Sequence, residues 1–123
     1  MTANAAASIA VTGLDAVYYL AKDFKRGVAF YRDVLGLTIA SDDGRNVEFD
    51  LGDGNTFGVS YMPDVWYPGG GAIFAVKDLD AAVQRLRDAG VKFYTDGAIE
   101  SPVCRIAWCE DSEGNTFAIH KLK

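Results

Sequence analysis

Apolar positions along the chain switch between two periods, and the switch occurs twice in the same order. Leu14 to Lys22 is rich in tyrosine and β-branched residues and predicts a strand. After Asp23, Phe24, Val28, Tyr31 and Leu35 recur at spacings of four, three and four, which predicts a helix capped by Asp23 and ended by Gly36. Three strands follow, Leu37 to Ser41, Asn46 to Leu51 and Thr56 to Met62, joined by glycine-bearing turns at 42–44 and 52–55. Residues 63–71 hold two prolines and three consecutive glycines and read as a hinge. The order then returns: a strand over Ala72 to Lys77, a helix carrying Leu79, Val83 and Leu86 and stopping at Gly90, then strands over Val91 to Thr95, Arg105 to Glu110 and Thr116 to Leu122. Asp78 or Asp80 caps the second helix.

The repetition extends to the residues themselves. Gly-Asn-Thr-Phe occurs at Gly54 to Phe57 and again at Gly114 to Phe117, 60 residues on. Val17 to Asp23 is echoed by Ala72 to Asp78 at an offset of 55, and insertions in turns account for the difference. Two copies are too few for a solenoid, so one closed domain of two modules is expected: a tail over 1–13, module one over 14–62, the hinge at 63–71 and module two over 72–122. The expected fold class is α+β, two βαβββ units forming a curved mixed sheet.

Composition narrows the functional classes. With 123 residues, half of them apolar and 12% aromatic, the chain can bury a core without metal or disulfide support. A net charge of -5 argues against nucleic acid, whose phosphates would be repelled, and tolerates neutral or cationic ligands. No apolar run approaches the roughly 18 residues of a membrane span, and Met1 to Val11 is Ala-rich without a basic leader, so a tail and a cytoplasmic location are expected. Cys104 and Cys109, five apart on one strand, point to opposite faces and read as reduced packing residues. Gly69 to Gly71 lacks the lysine of a phosphate loop, and no nucleophile triad has supporting context.

Phe30-Tyr31-Arg32-Asp33-Val34-Leu35-Gly36-Leu37, Val76 to Asp80, and Asp111-Ser112-Glu113-Gly114-Asn115, set in two βαβββ units, resemble the vicinal oxygen chelate superfamily. That group holds glyoxalase I, bleomycin and fosfomycin resistance proteins and extradiol dioxygenases. The resemblance implies half-barrel modules, a homodimer with clefts at or near the interface, and, where a metal is present, ligands on the first and last strands of both modules. Carried over on the family pattern and the internal repeat, those positions are Ala16, Gly58, Gly71 and Ala118. None has a side-chain lone pair, whereas zinc, iron, manganese and nickel sites need imidazole, carboxylate or thiolate. No metal and no cofactor are therefore expected.

Strand alternation places Tyr18, Leu20, Ser60, Met62, Ile73, Ala75 and His120 on the face of those four small residues, and Val17, Tyr19, Phe57, Val59, Phe74, Val76, Phe117 and Ile119 on the face under the helices. The first set is roomy and mixed, as in a pocket for an organic molecule. His120, the single histidine, is read as a pocket contact, an edge residue or an acid/base group. Trp66 and Tyr67 in the hinge either stack on a ligand or cover an interface, and Trp108 either fills the core or edges the cleft. Glu48, Asp50 and Glu110 either neutralise a cationic compound or lie on solvated strand faces. The expectation is a metal-free protein that sequesters a small organic molecule such as an antibiotic, cationic or aromatic. The alternatives are a metal-dependent lyase, isomerase or dioxygenase, a metal-free catalyst using His120, and a domain without a ligand.

Overall fold

Asp23 starts the first helix as its side chain predicts, accepting the Arg26 N–H at 3.1 Å. In this computed structural model, which describes residues 10, 12, 14–64 and 67–123, helix α1 (Phe24–Ala29) continues as wider turns over Phe30–Val34, where the Leu35 N–H reaches back five residues to Phe30. Apart from Ala10 and Thr12, the expected tail before Leu14 lies outside the described residues, as does Trp66. Of the two candidate caps for α2 (Leu79–Asp88), Asp78 fills the role, accepting from Ala81.

The strands form two mixed sheets. In the first, β1 (Val17–Leu20) pairs parallel with β4 (Thr56–Ser60), which pairs antiparallel with β3 (Asn46–Asp50), and that with β2 (Thr38–Asp42). In the second, β5 (Gly70–Ala75) pairs parallel with β9 (Thr116–Leu122), next to β8 (Cys104–Glu110), which carries β6 (Lys92–Phe93) and β7 (Ile99–Glu100) on its far side. The architecture is the α+β pair of βαβββ modules read from the repeat.

Several boundaries differ from the sequence pattern, each for a local reason. β1 is four residues rather than nine because it is an edge strand whose ladder with β4 runs only from Val17 to Leu20. β6 shrinks to two residues because Thr95 turns the chain by bonding Gly97, and the unanticipated β7 takes up the rest of β8. β5 begins inside the expected hinge, at Gly70. There a bulge sets Gly70 and Ala72 against consecutive residues Thr116 and Phe117, leaving Gly71 as the extra residue at φ +110.

One core serves both modules. Tyr19, Phe57, Val59, Phe117 and Ile119 are buried, with Phe74 and Val76 packed against them, as alternation predicts; Val17, at the start of its edge strand, is more open. Tyr31 stands at the centre, its ring against Phe49 and Phe57 of the first sheet and Phe74 and Phe117 of the second. Polar groups stitch the same seam. The Tyr19 hydroxyl donates to the Thr116 carbonyl at 2.6 Å and accepts the Ala72 N–H at 2.7 Å. Tyr19→Phe is therefore expected to cost ~1–3 kcal/mol, since it strands a backbone donor and acceptor between the modules; urea denaturation measures it.

The two Gly-Asn-Thr-Phe turns have opposite surroundings. Asp53 and Asn55 bond to each other at the surface. Their counterparts Glu113 and Asn115, together with Asp111 at the start of the same turn, lie buried beneath α1 and its extension. Tyr31 donates to Asp111 at 2.6 Å, and Glu113 accepts from Arg26 at 2.5 Å and from the Asp23 N–H at 2.6 Å. The acidic turn of module two thus anchors the helix of module one.

Candidate ligand-binding site

Because one face of each sheet packs under the helices into the shared core, each sheet turns its other face away from that core. Parallel and antiparallel registers fix which side chains stand side by side there. On the first sheet, Gly58 lies between Tyr18 of β1 and Glu48 of β3, and the next row is Leu20, Ser60 and Asn46. On the second, Ala118 lies between Ile73 and Trp108, and the next row is Ala75, His120 and Ile106. The repeat therefore maps Tyr18 onto Ile73, Glu48 onto Trp108, and Ser60 onto His120. Corresponding rows are polar and anionic in module one, apolar and aromatic in module two.

The first row is tightly built. The Tyr18 hydroxyl donates to Glu48 at 2.6 Å, and that hydrogen bond, with burial and the charge of Glu48 behind it, pushes the phenol up to about 12. Its ring leans over Gly58: a Cβ at that glycine would fall 2.6 Å from a ring carbon and 2.7 Å from the Val47 carbonyl oxygen. In the next row Ser60 is buried and donates to Asn46.

Two expected residues join Tyr18 around one hollow of about 240 Å³: Leu20 and Tyr67, with Gly69, Gly70 and Asn115. On its other side Tyr18 borders about 260 Å³ with Ser41, Asn46 and Glu48. Ile73 instead lines a hollow of about 380 Å³ between the starts of β1 and β5, where Ala16 and Gly71 meet. Met62 is exposed beyond the end of β4. His120 is half-buried, and its Nδ1 is enclosed with no hydrogen-bond partner among the described residues, a group that a ligand or water could satisfy.

Trp108 does not enter the core, which takes Ala107 and Cys109 from β8 on the alternate face. Cys109 is free and buried, and burial raises its thiol to about 11, so it is no nucleophile at neutral pH. The three carboxylates separate. Glu48 sits on the first outward face, Asp50 accepts from Gly52 at the surface, and Glu110 is engaged by Tyr94 and Lys92. The importance of Ser41 and Asn46 escaped sequence reasoning, since only the β3 register brings them beside Tyr18.

The residues at the four carried-over positions do not fit a metal. Gly58 and Ala118 are buried and bare, Gly58 has no room for a donor-bearing Cβ beneath Tyr18, and Gly71 is the extra residue of a bulge in β5. Among the described residues no three His, Cys, Asp or Glu side chains are grouped so as to hold an ion.

A description of the Glyoxalase/Bleomycin resistance protein/Dioxygenase superfamily matches residues 13–119. A search of curated proteins finds no match. Among solved structures, TnmS3, an antibiotic binding protein from Streptomyces sp. CB03234, superposes with a TM-score of 0.74 at 21% identity over 94% of this chain and 100% of its own. The lactoylglutathione lyase from Agrobacterium tumefaciens gives 0.74 at 18% identity, over 91% of this chain and 95% of its own. The oxidase ChaP-H2 gives 0.73 at 22% identity, over 90% and 94%. At these identities the likeness is one of fold. No helix among the described residues is long and apolar enough to cross a membrane.

Proposed function

Because the chain belongs to the Glyoxalase/Bleomycin resistance protein/Dioxygenase superfamily, we propose that it is a metal-free member that binds and sequesters a small organic molecule such as an antibiotic. The observation that carries this reading is the donor set: alanine or glycine at all four positions where the family's ligands fall, one of them roofed by a tyrosine ring. Such a floor can shape a cavity and cannot hold an ion. The two outward faces support binding of an amphipathic compound, with Tyr18, Ser60 and Glu48 on one and Ile73, Trp108 and His120 on the other. Leu20, Met62, Trp66 and Tyr67 complete the proposed contacts.

The active unit is a homodimer, in keeping with the open apolar side chains Met62, Ile73 and Leu122, which a second copy would cover. A cytoplasmic setting agrees with two free cysteines. The structure TnmS3, an antibiotic binding protein, lends support by analogy of fold.

A thermal-shift screen against aromatic and cationic antibiotics tests the proposal. A binder of the folded state must raise the melting temperature, by the equivalent of about 2.7 kcal/mol at a hundredfold excess over Kd. The expected result is such a rise with the compound recovered chemically intact. About one equivalent of nickel, zinc, manganese or iron retained per chain after purification without chelator, together with turnover of the compound, would establish the enzyme instead.

A further inference from the structure

The space above Gly58 is filled, and by a group of particular chemistry. The Tyr18 ring covers that glycine so closely that neither a donor-bearing side chain at 58 nor an ion seated on it shares the place. The Tyr18 hydroxyl donates its hydrogen bond to Glu48, and the Ser60 hydroxyl donates its own to Asn46. The Asn46 amide donates in turn to Asp43, whose carboxylate also caps the N–H groups of Arg45 and Asn46. The Tyr18 and Ser60 hydroxyl donors and one N–H of the Asn46 amide are thus committed within the protein. What remains outward is the lone pairs of the Tyr18 oxygen and of the half-buried Glu48 carboxylate, which among described groups takes only Tyr18 and a long 3.5 Å contact from Ser41.

We infer that Tyr18, held by Glu48, has taken the metal's place on the floor of module one, and that this exchange inverts its selectivity: where an ion gathers oxyanions, this floor receives a hydrogen-bond donor, above all a protonated amine. A carboxylate or enolate oxygen meets the negative charge of Glu48 here and is repelled. The ammonium of an amine finds the Glu48 carboxylate, the Tyr18 oxygen and the face of a phenol ring within one row. The inference rests on the binding role proposed above and names the chemistry of the ligand's polar end.

Benzylammonium and benzoate, similar in shape and opposite in charge, separate the cases. Each is titrated into the full-length 15N-labelled protein at 0.15 M salt, which screens charges more than about 8 Å apart. Benzylammonium is expected to bind at least ~10-fold more tightly than benzoate, consistent with a charge-assisted hydrogen bond, and to shift the amides of Tyr18, Glu48 and Gly58. Glu48→Gln should remove that preference, while Asp96→Asn, which deletes one exposed charge elsewhere, should leave it intact. Equal or better binding of benzoate, binding of neither probe, or equal loss from both variants would overturn the inference. None of those results touches sequestration itself, which fails by turnover of the compound.

Discussion

Glu113→Ala is expected to lower the unfolding free energy by ~2–3 kcal/mol at pH 7, because it leaves the Asp23 N–H without its acceptor and deletes a buried carboxylate from its hydrogen bonds. The Glu113 side chain is 1% exposed, and its two oxygens accept from the Arg26 guanidinium, the Asp23 N–H and Ser112. Alanine leaves the Asp23 N–H without its partner at the start of α1 and releases Arg26, so the contact between the helix of module one and the turn of module two loosens. Burial by itself would raise the carboxyl's pKa, but the hydrogen bonds from Arg26, Asp23 and Ser112 together outweigh it and hold the group below its ordinary value.

The sign of the pH dependence follows. A carboxylate depressed in the folded state adds its full stability above its unfolded pKa of roughly 4.3, and loses that contribution as pH falls through the lower folded value. Urea titrations of wild type and variant should therefore show their widest gap at pH 7 and a narrower one in acid below about pH 4, where the charge-dependent part is lost and the cost of the unpaired Asp23 N–H remains. A gap of under ~0.5 kcal/mol at pH 7, the range of an ordinary surface substitution, would remove the network from the account of stability.

That network also marks where the sequence stops being legible. The repeated Gly-Asn-Thr-Phe turns look alike as strings, and nothing local says that Asp53 and Asn55 stay in solvent while Asp111, Glu113 and Asn115 are buried under another module's helix. That difference comes from tertiary packing. Period-two alternation, by contrast, divided Tyr18 from Tyr19 and Phe117 from Ala118 correctly, because a strand with one face in a core has no freedom to rotate. Alternation fails at Gly71, where a bulge adds a residue, and leaves Trp108 open between core and cleft until the β8 register gives the core positions to Ala107 and Cys109. The partner of Tyr18 could not be read at all: Glu48 is thirty residues away, and only the β3–β4 register brings it across Gly58.

That row yields the second large expected effect. Gly58→Ala is expected to destabilise the protein by ~3 kcal/mol, at the upper end of overpacking penalties, because the new methyl meets two obstacles of different kind. The Tyr18 ring, 2.6 Å away, can swing aside, but only by giving up its hydrogen bond to Glu48. The Val47 carbonyl, 2.7 Å away, belongs to the ladder of a buried strand and cannot move without disturbing β3. A double-mutant cycle with Tyr18→Ala separates the two: relief of the ring contact should appear as a coupling of ~1–2 kcal/mol, with the backbone contact left as a residual cost. Chemical denaturation of the four proteins measures both. If Gly58→Ala were neutral, or its cost independent of Tyr18, the ring would not occupy the floor. The exclusion of an ion from that floor would then rest on the missing donors alone.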